Sequence, residues 1–121
     1  MKHFLLFSLM TICSLTFTKA QVFMTELADP LDATGARYVE LFNAGETAVN
    51  LADPEAKYGF LRYTNGGTTP QQTIYYLTGT IQSKGFYVVT KDAATFTAKY
   101  GVAPNQEIAT TSSPIDNNGD D

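Results

Sequence analysis

The chain has 121 residues, of which 44% are hydrophobic and 17% charged, and its formal net charge is −4. That length suits one domain and excludes a large multidomain enzyme, and the apolar fraction supports a core rather than wholesale disorder. The basic residues are scattered singly through an acidic chain, which argues against the clustered Lys and Arg that binding to nucleic-acid phosphates requires.

The first twenty residues read as a secretory signal peptide. Lys2 and His3 form a short basic start, and Phe4 to Phe17 is an apolar run broken only by small Ser, Thr and Cys residues. Thr18-Lys19-Ala20 supplies small residues at the −3 and −1 positions of a cleavage site. The run is shorter than the roughly 20 residues that a membrane-spanning helix needs. Cleavage is expected after Ala20, leaving no membrane span. Cys13 follows Ile12 where a lipid-attachment site needs a small residue, so lipidation is not expected.

Removing residues 1–20 takes away Lys2 and Lys19, so eight basic residues become six while all twelve acids stay, and the net charge moves from −4 to −6. It also removes the single Cys and the single His. The chain from Gln21 to Asp121 has no Cys, His or Trp. It therefore has no imidazole general base, no Ser-His-Asp arrangement, no thiol nucleophile, no disulfide and no thiolate metal site. Gly66-Gly67 is followed by Thr68-Thr69-Pro70, which is not a phosphate-binding loop. No catalytic residue is assigned, and the chain is not expected to be an enzyme.

In chain order, Gln21 to Ala28 is read as a strand. Arg37 to Asn43 follows, around the strong β core Tyr38-Val39-Glu40-Leu41-Phe42. Ala48 to Leu51 is a weaker candidate, and Phe60 to Thr64 and Thr73 to Leu77 are short runs. Thr78 to Ile81 is weak, whereas Phe86 to Thr90 is the most β-prone stretch. Turn signals separate them at Asp29-Pro30, Thr34-Gly35, Ala44-Gly45, Asp53-Pro54, Asn65-Gly66-Gly67 and Lys84-Gly85. Short strands at this spacing predict a β-sandwich or small barrel.

One segment departs from the β pattern. Asp92 is placed to cap a helix over Ala93 to Tyr100, with Gly101 as its stop and Pro104 beyond. Phe96 and Tyr100 lie four apart and share the face that would pack onto the sheet. From Val102 onward the signals of order fade. Asp116-Asn117-Asn118-Gly119-Asp120-Asp121 has a turn-former's composition, and its Asn-Gly promises a hairpin whose second arm does not follow. The expectation is that this is the N-terminal piece of a longer protein with an open sheet edge.

Several stretches together resemble the lamin-tail domain family, and most closely its bacterial secreted members. They are Thr25-Glu26-Leu27-Ala28-Asp29-Pro30, Ala36 to Asn43 and Ala48-Val49-Asn50-Leu51, then Leu61 to Gly66, Leu77-Thr78-Gly79-Thr80-Ile81, Gly85-Phe86-Tyr87-Val88-Val89 and the helix. The likeness covers roughly Val22 to Asp121. It implies an all-β, immunoglobulin-like β-sandwich with one short helix, continuing in the family past the Asn-Gly-Asp turn, so that C-terminal strands are missing here. It implies no catalytic residues. Bacterial members are appended to secreted or surface proteins, including nucleases, phosphatases and adhesin-like chains. The family commonly places a Trp after the Asn-Leu of its third strand. Here Ala52 follows Leu51, and Tyr58 or Phe60 is expected to fill the core slot.

Three constellations are candidate sites. Asp116, Asn118 and Asp120 alternate like the start of a calcium loop, but Gly119 is not at the sixth position and no distal Glu follows, so an exposed turn is the simpler reading. Glu26, Asp29 and Asp32 place three carboxylates near the first loop, either for calcium or simply solvated. Tyr63 and Tyr76, with Tyr58 and Tyr75, are the candidates for stacking on sugar rings. Tyr75 and Tyr76 are adjacent, so only one of them faces any given side. Arg37 with Glu40, or Arg62 with Glu26, are candidate exposed pairs of little energetic weight.

The functional expectation is an exported, non-catalytic module for binding, adhesion or spacing in a secreted or cell-surface protein. Its partner would be a protein or a glycan. Two alternatives stand beside it: an accessory domain of a secreted hydrolase whose catalytic part lies beyond Asp121, and a carbohydrate-binding domain.

Overall fold

The computed structural model describes residues 21–63, 67–110 and 114–115. They form a β-rich fold with a single short α-helix. The main layer is a four-stranded sheet of order β1-β2-β7-β8, built from β1 (Val22–Ala28), β2 (Tyr38–Asn43), β7 (Phe86–Thr90) and β8 (Gln106–Glu107). β3 (Val49–Asn50) pairs with β6 (Thr80–Ile81), and β4 (Gly59–Phe60) pairs with β5 (Tyr75–Tyr76). Backbone hydrogen bonds from Leu51 to Gly79, Tyr58 to Leu51 and Leu77 to Tyr58 join these two ribbons.

Strand alternation sorts β2 into two faces. Val39, Leu41 and Asn43 point inward and are buried, while Tyr38, Glu40 and Phe42 point outward. On β7, Tyr87 and Val89 point inward opposite Leu41 and Val39. These inward side chains form one core with Leu51, Leu77, Ile81, Ile108 and Ile115. Burying each large apolar side chain contributes about 1.5–3 kcal/mol. Both Tyr58 and Phe60 are partly buried and pack against this core.

Helix α1 (Ala93–Tyr100) forms where the sequence placed it. The Asp92 carboxylate accepts the Thr95 N–H at 2.9 Å, and Gly101 closes the helix with φ +75°. Phe96 and Tyr100 both meet Tyr38 edge-on, with ring centroids 5.4 and 5.3 Å away. The helix also solves a topological problem. β7 and β8 are parallel, and parallel neighbours need a crossover rather than a tight turn.

Order persists beyond Val102, contrary to the sequence reading. β8 adds the sheet's fourth strand, and Ile108 and Ile115 are buried in the core. Gln106 explains how so short a strand is held. Its Oε1 accepts the Thr78 N–H at 2.9 Å and the Tyr87 hydroxyl at 3.2 Å, and its Nε2 donates to the Tyr76 carbonyl at 3.2 Å. Of the expected run from Phe60 to Thr64, whose Thr64 lies outside the described residues, only Phe60 belongs to a strand. Pairing stops at Phe60, and Tyr63 makes only an isolated bridge to Pro70.

Candidate functional site

The residues singled out in the sequence do not converge on one place. Asp116, Asn118 and Asp120 lie outside the described residues. Tyr63 and Tyr76 are both well exposed, but Tyr63 sits at the isolated bridge and Tyr76 on β5. The Lys57 Nζ lies 5.5 Å from the centre of the Tyr76 ring, so the chain's own cation approaches that ring. Tyr75 turns the other way and packs against the core, as adjacency on a strand requires.

The first-loop carboxylates are drawn into separate interactions. Asp29 pairs with Arg37. Asp32 accepts from the Lys99 Nζ at 2.7 Å, and that hydrogen bond and charge hold its carboxyl below the usual range. Glu26 accepts from the Tyr38 hydroxyl. Burial, and then this bond, push the Tyr38 phenol up to about 12. Among the described residues no three Asp, Glu, His or Cys side chains form a metal-holding group. The expected Arg37–Glu40 pair is not formed. Arg37 turns to Asp29, and Glu40 accepts the Thr25 hydroxyl at 2.8 Å. Arg62 is buried rather than exposed.

A cavity of about 640 Å³ opens at the start of α1, beside Thr34, Lys91, Asp92, Glu107 and Thr110. Its helix donors are already used. Asp92 takes the Thr95 N–H, and the Glu107 Oε2 takes the Ala93 N–H at 2.7 Å. Two acidic side chains thus satisfy the orphan donors where an anion would otherwise bind.

The feature that sequence reasoning missed is the outward face of β1, β2 and β7. Phe23 pairs in register with Phe42, and Phe42 with Phe86, so three Phe lie in a row across three strands. Phe42 and Phe86 touch, with ring centroids 4.9 Å apart. Phe23 is 46% exposed and Phe86 58%. The fold covers the Tyr38 end of this face with α1 and leaves Phe23 and Phe86 exposed, with Phe42 half-buried between them. Beside the row, Glu26 and Glu40 are direct cross-strand partners, a like-charge juxtaposition that costs stability. The available signal was the alternation in β2, which sets Phe42 on the face opposite Leu41. The register that aligns the three strands was not readable.

β1 is the outer strand of the sheet. Phe23 faces outward with its partner Phe42, whereas Met24 and Leu27 oppose the inward residues Leu41 and Val39. Even so, Met24 and Leu27 remain largely exposed. Within the sheet, apolar side chains on both faces of β1 lack a neighbour on one side. A β-bulge at Thr25 interrupts its pairing with β2.

No helix among the described residues is long and apolar enough to cross a membrane. No family model matches the chain, and no curated protein and no solved structure matches it.

Proposed function

We propose that this chain is an exported, non-catalytic binding module built on an immunoglobulin-like β-sandwich of lamin-tail type. The observation that carries the binding role is the aromatic row Phe23–Phe42–Phe86, exposed at Phe23 and Phe86 and laid across a sheet whose opposite face is the core. Contiguous apolar surface on a small domain marks an interaction site. The sandwich reading is supported by a four-stranded sheet packed over two joined ribbons around one core. The main carboxylate contacts serve the fold: Asp92 caps α1, Asp29 meets Arg37 and Asp32 meets Lys99. Export rests on the basic start, apolar run and small-residue cleavage site of residues 1–20.

The test is to express the full chain in a bacterial host with a secretion pathway, fractionate the culture and read the N-terminus. The expected result is protein outside the cytoplasm starting at Gln21. Cytoplasmic protein retaining residues 1–20 would overturn the export reading.

A further inference from the structure

We infer that the free edge of β1 accepts an added strand from a partner protein, and that this strand is basic on its outward side and apolar on its inward side. The inference rests on the binding-module reading and names the partner's chemistry.

The edge itself is the first ground. Among the described residues β1 pairs only with β2, and its outer backbone positions are those of a sheet edge. An extended segment adding there gains main-chain hydrogen bonds, with specificity set by alternate side chains. Protected edges are normally short, or carry Lys or Pro. β1 has seven residues with no Lys and no Pro; its protection is limited to the bulge at Thr25 and the single charge of Glu26, and it exposes Phe23, Met24 and Leu27.

Charge selects the occupant. Glu26 and Glu40 stand side by side on the outward face, and β1, β2 and β7 together contain no Lys or Arg. Nearby cations serve other acids: Arg37 pairs with Asp29, Lys84 with Glu46 and Lys99 with Asp32. A strand laid beside β1 sets its own side chains about 5 Å from those of β1. A Lys or Arg opposite Glu26 would relieve the repulsion between Glu26 and Glu40. An apolar residue opposite Phe23 would extend the aromatic row, and apolar residues opposite Met24 and Leu27 would cover the inward side. A second copy of β1 is the poorer fit. Pairing two copies adds a second Glu26–Glu40 pair beside the first on already acidic chains.

The test uses the full chain as purified after export and a fluorescein-labelled octapeptide, Lys-Thr-Val-Lys-Val-Phe-Thr-Lys. Its twin carries Glu in place of each Lys. Fluorescence anisotropy should show saturable binding of the basic peptide and at least about tenfold weaker binding of the acidic one. Glu26→Lys should weaken the basic peptide about tenfold and improve the acidic one, a reversal that lost stability alone does not produce. Phe23→Thr should weaken both peptides. Hydrogen exchange should slow in β1 on adding peptide and stay unchanged in β8. Absence of saturable binding overturns the inference, as does a preference that Glu26→Lys leaves unchanged. Sedimentation showing a dimer with β1 protected would assign the edge to a second copy, and β1 protection by cellohexaose instead of peptide would assign it to a glycan. Either result overturns the inference. A negative peptide result leaves the export reading to be decided by the N-terminus at Gln21.

Discussion

The side-chain amide of Asn43 donates to the backbone carbonyl of Ile81 at 3.2 Å, tying the end of β2 to β6 across 38 residues of sequence. The same amide also donates to the carbonyls of Thr47 and Gln82, and its Oδ1 accepts the Gly45 N–H. Asn43 is fully buried, so these bonds are made out of reach of water. A buried polar group of this kind is costly to leave unsatisfied. Asn43→Ala is expected to lower unfolding stability by about 2–3 kcal/mol. Asn43→Asp should be worse, because it buries a charge and replaces the donor with an acceptor. Urea unfolding of both variants checks the order.

Asp92 makes stability depend on acid in a defined direction. Its hydrogen bond to the Thr95 N–H holds its carboxyl below the usual value. A carboxyl depressed on folding contributes stability above its ordinary pKa of about 3.9, and the contribution is lost as pH falls through the folded value. Asp92→Ala should therefore lower the melting temperature at pH 7 and make little further difference near pH 2. Asp92→Asn, which keeps a neutral cap, should retain most of the wild-type stability at pH 7. Thermal melts of the three proteins at both pH values measure this.

Tyr38 predicts the opposite limb. Its phenol is raised from an ordinary value near 10 to about 12, by burial and by the bond to Glu26. A raised value means that the contribution is fully present below pH 10 and is lost as pH rises toward 12. Burial also raises the Tyr87 phenol, with a side-chain hydrogen bond to Thr78 pulling the other way. Spectrophotometric titration should show late-ionising phenols among the seven tyrosines, with one fewer in Tyr38→Phe.

At the other end of α1, Gly101 sits at φ +75° with nothing within 4 Å of where a Cβ would stand. Gly101→Ala should cost about 1 kcal/mol from backbone conformation alone, and Gly101→Asn less. Unfolding curves compare the two. An equal loss in both would mean that the left-handed turn is not what closes the helix.

Much of the fold was legible because it is written locally. Asp92, the Phe96–Tyr100 pair and Gly101 mark the helix by capping, spacing and stop, and the structure uses all three. β2 and β7 were clear for a similar reason, since β-branched and aromatic residues run together there. β8 was not legible. Gln106-Glu107 has no strand composition, and it is held by Gln106 reaching Thr78, Tyr76 and Tyr87, contacts that only the folded chain brings together. The same limit applied to the binding face. Phe23, Phe42 and Phe86 are far apart in sequence, and no single strand announces that they align. The carboxylates misled for a simpler reason. Charge spacing suggested Arg37 with Glu40, but the loop after β1 brings Asp29 to Arg37 instead.

One face of the β1–β2–β7 sheet is core, while the other carries the exposed Phe23 and Phe86 on which the proposed binding role rests. The most direct measurement compares the unfolding free energies of Phe86→Thr and Val89→Ala, two substitutions on the same strand. Val89 is fully buried, so Val89→Ala should cost about 2 kcal/mol through lost packing. Phe86→Thr should cost less than about 1 kcal/mol, the scale of its cross-strand contact with Phe42. An equal or greater loss for Phe86→Thr would contradict this division of the faces, because the Phe row would then hold the fold together rather than stand free of it.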